Sequence, residues 1–419
     1  MNQSSAIAPS VRPRIEPLTS VRFVAAISVV IYHYWPEFFP DVSTPRLFVS
    51  GFMGVSFFYV LSGYILGVVY LRARPARIDR KRFWTARFAR VYPSYALALI
   101  LRIPLIAGII VSSENIPRRL VIAIGSLVAN LALLQAWYPV LDWRWNPPSW
   151  SVSAEAFFYL LFPLLAIWSA KVVNLSRVAI LCIVSYCVML VPPTLLLLHG
   201  IGFNSQPRPE AFLFVVFAPI FRIPEFMIGL FLCGLEKKIK EKALQQVTLE
   251  RVAAVTLAVS SAAVLGVVWS GDRIPFVLRY NGIADLAFAG IIVGLANYHG
   301  LICRVFSTRA FILLGEASYA VYILQSPLRD YVDFVASKMG VSFGSASRLA
   351  DTLIFGCYLA LLIGISIVCY LYIEAPLRRG IMRMYNARTG RPGIVDANPL
   401  VELSTASGKD GSATSTTGA

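Results

Sequence analysis

Long apolar segments separated by short polar ones occupy most of this chain. Each apolar segment has about 20 residues, which as a helix spans about 30 Å, the thickness of a bilayer's hydrocarbon core. The one-residue alternation that is typical of a β-barrel strand is absent. The pattern predicts an all-α polytopic membrane protein with candidate spans near 18–35, 52–71, 91–111, 120–137, 149–168, 178–199, 213–235, 249–269, 283–298, 310–327 and 351–373.

Clusters of basic residues between the apolar segments predict which loops face the cytoplasm, because such loops carry an excess of Lys and Arg. Placing every basic cluster on the cytoplasmic side requires that residues 91–168 cross the membrane an even number of times. That region, however, holds three candidate spans. We therefore predict about ten crossings, both termini in the cytoplasm, and one re-entrant or interfacial segment in 91–168. The irregular stretch "WYPVLDWRWNPPSW" (137–150) is a candidate for the exception, provided that protein covers its backbone.

Composition narrows the class of protein further. Only 14% of the residues are charged and 57% are hydrophobic, and the net charge is +16. In a chain of membrane spans this charge reflects sidedness and contact with anionic lipid, so we expect no nucleic-acid partner. The six cysteines lie in apolar runs and look like buried hydrophobic side chains, so we expect neither a metal site nor a disulfide framework.

The chain divides into three parts by composition. Residues 1–17 form a polar cytoplasmic segment, and the span after it lacks a cleavage site, so we expect an uncleaved signal anchor. Residues 18–380 form the transmembrane domain. Residues 381–419 become polar and end in "STASGKDGSATSTTGA", which predicts a disordered cytoplasmic tail.

Two ionisable residues lie in the first span, "VRFVAAISVVIYHYW" (21–35). Arg22 and His33 are eleven residues apart, so on a helix they share one face about 16 Å apart along the axis. The topology places Arg22 toward the cytoplasm and His33 toward the outside. An imidazole there can accept a proton from a hydroxyl, although an interfacial aromatic belt is the alternative because the neighbours of His33 are Tyr32, Tyr34 and Trp35.

Acidic residues inside later spans are the next candidates. Glu155 opens an otherwise apolar segment, where it either complements the helix dipole or orients an imidazole or a hydroxyl of the substrate. Arg222 and Glu225 are spaced i, i+3 within one span. They form either a structural ion pair or part of a reaction path.

The basic loop 72–90 leads into the third span. Arg87 and Arg90 lie three residues apart near the start of that helix, with Arg82 nearby. Guanidinium groups and the free N–H groups of a helix N-terminus both suit phosphate. These residues are candidates for holding a nucleotide-bearing donor at the inner face. The sequence has no Walker-type or GxGxxG loop, so ATP-driven and dinucleotide chemistry lack support.

Several segments in order resemble the bacterial membrane-bound acyltransferase-3 family, over about 15–380. The opening span carries that family's Arg and His at matching spacing, and "WSVSAEAFFYLLFPLL" (150–165) resembles its Trp-Ser-x-Ser-x-Glu motif. The other matching segments are "GVSFFYVLSGYILG" (54–67), "RFARVYPSYAL" (87–97), "FRIPEFMIGLFLCG" (221–234), "LGEASYAVYILQSPL" (314–328) and "YIEAPLRR" (372–379).

The resemblance implies an O-acyltransferase of the bacterial cytoplasmic membrane. Its donor would be a cytoplasmic acyl-CoA, often acetyl-CoA, and its acceptor a hydroxyl of an extracytoplasmic glycan or related molecule. The implied catalytic residues are His33, Arg22 and Glu155. Those for the CoA phosphates are Arg87, Arg90 and Arg82, and those along the substrate path are Arg222, Glu225 and Tyr319.

The sequence departs from the family pattern in three places. The aspartate of the family's opening motif is missing, since Thr19 and Ser20 lie there, and Gln325 lies where many members have histidine. We also expect no fused esterase-like domain. A transporter or flippase for a lipid-linked glycan is the alternative function, because it would use the same intramembrane charges. The sequence shows no inverted repeat by eye, which counts mildly against it.

Overall fold

The computed structural model describes residues 16–71, 78–138, 145–172, 174–203, 209–241, 246–340 and 347–390. This part of the chain is helical and contains no strand. Its α-helices are α1 (Glu16–Phe38), α2 (Arg46–Val49), α3 (Gly54–Leu66), α4 (Arg80–Val111), α5 (Ile116–Leu131), α6 (Trp150–Ala170), α7 (Leu175–Leu198), α8 (Glu210–Phe217), α9 (Pro219–Glu241), α10 (Gln246–Ser270), α11 (Phe276–Tyr280), α12 (Asp285–Asn297), α13 (Leu301–Phe306), α14 (Arg309–Lys338), α15 (Arg348–Cys369) and α16 (Ala375–Thr389).

Short turns of other helical types connect several of these helices. Turns of π-helix extend α3 through Gly67–Leu71 and join α15 to α16 through Tyr370–Glu374. Four 3₁₀ turns occur at Gly51–Met53, Gln135–Trp137, Pro147–Ser149 and Gly271–Arg273.

Ten helical stretches of the described chain are long and apolar enough to cross a membrane. This confirms the predicted all-α polytopic fold. The stretches are Glu16–Phe38, Arg46–Leu71, Arg80–Val111, Pro147–Ala170, Leu175–Leu198, Glu210–Lys240, Thr248–Arg273, Phe276–Asn297, Arg309–Lys338 and Arg348–Thr389.

The predicted span at 120–137 corresponds to α5. This helix has 16 residues, which is too short for the spans described above. It ends beside the middle of α4, where the Tyr95 hydroxyl donates to the Asn130 carbonyl (2.8 Å). Within the predicted irregular stretch 137–150, the Trp145 indole donates to the Ala123 carbonyl (3.0 Å), and residues 139–144 lie outside the described chain. Buried polar contacts of this kind satisfy irregular backbone where water is scarce.

Helices α3 and α9 pack against each other through a direct backbone contact. A Cβ atom added to Gly63 would lie 2.0 Å from the Phe226 carbonyl oxygen, and one added to Gly229 would lie 1.9 Å from the Val60 carbonyl oxygen. The two helices therefore cross with each glycine against the other helix's backbone. Small residues permit this approach, which is a common way for helices to associate in membranes.

A second close contact joins α1 to α14. A Cβ atom at Gly315 would lie 2.1 Å from the Thr19 carbonyl oxygen. The Ser20 hydroxyl also donates to the Phe306 carbonyl just before α14. Because Arg22 and Tyr319 each follow this contact by about one helical turn, the contact sets both at the same level of the bundle.

We predict that Gly63→Ala or Gly229→Ala destabilises the folded protein. The added methyl group overlaps a backbone carbonyl, and overpacking of this kind costs about 1–3 kcal/mol. The melting temperature of the detergent-solubilised protein measures the effect. Gly356→Ala in α15 is the matched control, because a Cβ atom there meets nothing within 4 Å. Equal melting temperatures for all three variants would contradict the proposed crossing.

Candidate active site

A cavity of about 870 Å³, including its open mouth, lies among α1, α3, α4, α6 and α14. Its wall combines charged and hydroxyl-bearing side chains with apolar ones. Five of the residues predicted from the sequence line it, although they come from four helices that are distant in the chain: Arg22, Arg87, Arg90, Glu155 and Tyr319.

Glu155 projects into this cavity from the second turn of α6. Its Oε1 atom accepts hydrogen bonds from the Ser62 hydroxyl (3.3 Å) and from the Tyr159 hydroxyl one turn further along. A carboxylate is stabilised by the helix dipole only within the first turn. The dipole therefore does not explain why an acidic residue lies in the second turn of α6. Glu155 instead forms part of a hydrogen-bonded wall between α3 and α6.

Three guanidinium groups lie in the cavity wall of the described chain. Arg22 and Arg90 interact electrostatically with Glu155 and with Glu316 of α14. The Arg87 guanidinium lies over the Tyr159 ring, 5.9 Å from its centroid, and its buried Nε has no hydrogen-bond partner among the described residues. Arg87 thus has an aromatic neighbour in the cavity wall and a buried Nε without a described partner.

Arg82 is not among the residues that line the cavity. It lies in the first turn of α4, where its backbone N–H donates to the Asp79 carboxylate (3.1 Å). The Asp79 side chain thus caps the helix that carries Arg87 and Arg90.

His33 lies on α1 away from the cavity wall and is half-buried. Its Nδ1 atom is 3.0 Å from Oε1 of Gln325 on α14. The imidazole also contacts the Tyr32 and Tyr34 rings, with centroids 5.2 and 6.0 Å away. The aromatic surroundings expected for a belt are present, but His33 also has a specific side-chain partner on another helix.

Hydrogen bonds link His33 to the cavity wall. The Gln325 amide donates from Nε2 to the Tyr322 carbonyl (2.7 Å). The Tyr322 side chain lines the cavity, and its hydroxyl bonds with Ser151 (2.8 Å). Among the described contacts, His33 and Glu155 have different partners, so the orienting role of Glu155 stays a prediction.

Arg222 and Glu225 form a second charged cluster outside the cavity wall. Both are buried, with Nη1 and Oε1 3.0 Å apart. Arg222 also donates to Asn281 Oδ1 (2.6 Å) and to the Ser56 hydroxyl (3.1 Å). The pair is therefore embedded in a hydrogen-bonded cluster, as expected for the structural alternative.

Comparison with known proteins now identifies the family. The model of the acyltransferase domain, acyltransferase-3, matches residues 17–371, which is most of the chain. The chain belongs to the acyltransferase-3 family. The resemblance seen in the sequence is thereby confirmed, over nearly the same range.

Individual members of the family show what this chain is similar to. It is 37% identical over 162 residues to acyltransferase MdmB of Streptomyces mycarofaciens, covering 36% of this chain and 39% of that protein. It is 25% identical over 393 residues to O-acetyltransferase OatA of Staphylococcus aureus (strain NCTC 8325). This match covers 88% of this chain and 58% of that protein. It is 26% identical over 178 residues to putative O-acetyltransferase SAS0844 of S. aureus (strain MSSA476). This match covers 40% of this chain and 27% of that protein.

The chain thus matches between 27% and 58% of the length of these three relatives. No solved structure matches it.

Some residues of this family member's site were missed by sequence reasoning. Tyr159 follows Glu155 by four residues, so helical spacing alone places the two side chains together. Gln325 was noted only as a departure from the family pattern. Outside the cavity, Asp285 is a lone acid at the start of an apolar span, close enough to Arg222 and Glu225 to interact with them electrostatically. It is fully buried, and neither carboxylate oxygen has a described hydrogen-bond partner.

We predict that Arg222→Met destabilises the protein by about 3–5 kcal/mol, because it leaves the Glu225 carboxylate buried without its partner. The double variant Arg222→Met/Glu225→Leu should recover most of this loss and retain activity. The free energy of unfolding in detergent and acyl-transfer assays measure both properties. A stable double variant without acyl transfer would contradict the structural role and place the pair on the substrate path.

Proposed function

We propose that this protein transfers an acyl group, foremost acetyl, from cytoplasmic acyl-CoA to a hydroxyl of an extracytoplasmic glycan or related acceptor. The observation that carries the proposal is the convergence of Arg22, Arg87, Arg90 and Glu155 on one cavity in an acyltransferase-3 family member. The relatives named O-acetyltransferase support acetyl as the group and a hydroxyl as its acceptor. The basic loops support a bacterial cytoplasmic membrane location with both termini inside.

Arg87 and Arg90 are the proposed contacts for the phosphate groups of the donor, with Arg82 at the entrance. Charge-assisted bonds from a guanidinium to phosphate are strong and directional. The position of Arg87 in the cavity wall favours this assignment, because its guanidinium can meet a phosphate there. Arg90 lies in the electrostatic range of Glu155, Glu316 and Glu374, so Arg87 is the stronger candidate of the two.

His33 is the proposed acid–base group. Its imidazole accepts the proton of the acceptor hydroxyl as the oxygen forms a bond to the thioester carbonyl carbon. The C–S bond then breaks, and the imidazolium returns the proton to the CoA sulfur. In the alternative mechanism, the imidazole itself first takes the acyl group from CoA as an acyl-histidine and then transfers it to the acceptor hydroxyl.

The remaining residues act on position and charge in this proposal. Arg22 and Glu155 line the cavity in which the donor would bind, and Tyr319 holds α14 against α4 through its bond to the Val91 carbonyl (3.0 Å). Arg222 and Glu225 support the wall from behind, because the Arg222 guanidinium lies 5.5 Å from the ring centroid of Tyr59 in that wall. No contact in the described chain specifically favours the transport alternative.

We predict that His33→Ala lowers acyl transfer by roughly a hundredfold or more while leaving the protein inserted and abundant, because the proton acceptor is lost. The measurement is acetyl-CoA consumption by inverted membrane vesicles, which expose the cytoplasmic face. His199→Ala is the matched control, since His199 is exposed at the end of α7. Near-normal consumption by the His33→Ala variant would return His33 to the aromatic-belt interpretation.

We predict that Arg87→Ala raises the KM for acyl-CoA by about tenfold or more, since a charge-assisted bond contributes about 1.5–3 kcal/mol. The KM for the acceptor should not change, because the acceptor binds across the membrane. Titrations of both substrates in proteoliposomes measure the two constants. Arg80→Ala, an exposed arginine of the same helix, is the control. An effect confined to the acceptor KM would overturn the donor assignment.

A further inference from the structure

The amide of Gln325 has only one orientation that satisfies its surroundings. Gln325 is fully buried, and its side chain lies between the imidazole of His33 and the backbone of its own helix, α14. The Tyr322 carbonyl, 2.7 Å away, can only accept a hydrogen bond, so the amide NH₂ must face it. The amide oxygen therefore faces His33.

This orientation determines which imidazole nitrogen carries the hydrogen. The Gln325 oxygen is 3.0 Å from Nδ1 of His33, and an amide oxygen can only accept. Nδ1 must then donate, and in the neutral ring the lone pair lies on Nε2. Turning the amide over would set its oxygen against the Tyr322 carbonyl and break the bond that holds it.

The backbone around Gln325 is fixed as well. The Tyr358 hydroxyl of α15 donates to the Gln325 carbonyl (3.1 Å), and its ring packs against the Tyr34 ring of α1, with centroids 5.6 Å apart. Three helices thus meet at this residue. The amide is held by its neighbours before any substrate binds.

We propose that Gln325 is a positioning residue that holds His33 in the tautomer with its lone pair on Nε2. The proposal rests on the proposed function, in which His33 accepts the proton of the acceptor hydroxyl. Nε2 takes that proton while Nδ1 keeps its own and continues to donate to Gln325. The same hydrogen bond therefore persists in the neutral and the protonated ring, and the ring need not turn during the cycle.

The choice of an amide has a chemical consequence. A carboxylate at this position would stabilise the imidazolium strongly by its full charge. The neutral amide oxygen fixes the tautomer with less stabilisation of the charged ring. The proton accepted by Nε2 is then more easily returned to the sulfur of the leaving group.

The first test reads the tautomer without requiring activity. The chain has three histidines, so His199→Gln/His299→Gln leaves His33 as the one labelled ring in a ¹⁵N-histidine sample. We expect the ring ¹⁵N chemical shifts that are characteristic of a protonated Nδ1 and an unprotonated Nε2. Gln325→Met, which keeps the length of the side chain but removes the acceptor, should give a mixture of tautomers. A hydrogen on Nε2 in the parent, or unchanged shifts in Gln325→Met, would overturn the proposal.

A matched control separates positioning of the ring from general support of the helix. Tyr358→Phe removes the hydrogen bond to the Gln325 backbone but leaves the amide in place. We expect its His33 shifts to equal those of the parent. If Tyr358→Phe instead scrambles the tautomer as much as Gln325→Met does, the amide is not the element that fixes the ring.

The second test reads the consequence for the reaction. Gln325→Met should lower kcat by roughly tenfold to a hundredfold, as loss of an orienting partner commonly does, with the KM for acyl-CoA unchanged. Tyr358→Phe, which keeps the amide oxygen at Nδ1, should retain more activity than Gln325→Met at equal melting temperature. Equal activity of the two variants would contradict the proposal. Failure of the proposed function would give a different result. The His33→Ala variant would then be fully active, although His33 in the parent protein still carries its hydrogen on Nδ1.

Discussion

The contact of backbone against backbone between helices is the constraint on which the site depends. Lipid offers no hydrophobic force that drives helices together, so they associate through close packing and polar contacts. Gly63 and Gly229 bring α3 and α9 into such contact, and Gly315 does the same for α14 against α1. These helices carry Ser62, Arg22 and Tyr319, so the same contacts fix the width of the cavity.

The charges inside the bundle are held in two different ways. The Arg222 cluster is closed, because its guanidinium is paired with Glu225, Asn281 and Ser56 away from solvent. The arginines of the cavity, in contrast, are partly exposed. Ionisable groups are costly in a membrane interior, and those left open to a cavity are the ones that can act on a ligand.

The sequence was sufficient to predict the helices and the charged residues around the cavity. Apolar length predicted eleven candidate spans, the basic clusters reduced these to about ten crossings, and the motifs singled out Arg22, Arg87, Arg90 and Glu155. Sequence could not predict which side chains meet across helices, because that depends on each helix's rotation and crossing angle. The pairing of His33 with Gln325 and that of Glu155 with Ser62 are both of this kind.

The order of the helices around the cavity has a consequence for synthesis of the protein. Arg22 and Arg87 enter the membrane early, whereas α14, which carries Glu316 and Tyr319, begins only at Arg309. Until the ribosome has made that helix, the cavity that these guanidiniums line lacks one wall, and Arg22 lacks its neighbour Glu316. The nascent chain must therefore keep them near lipid phosphate or water at the membrane surface.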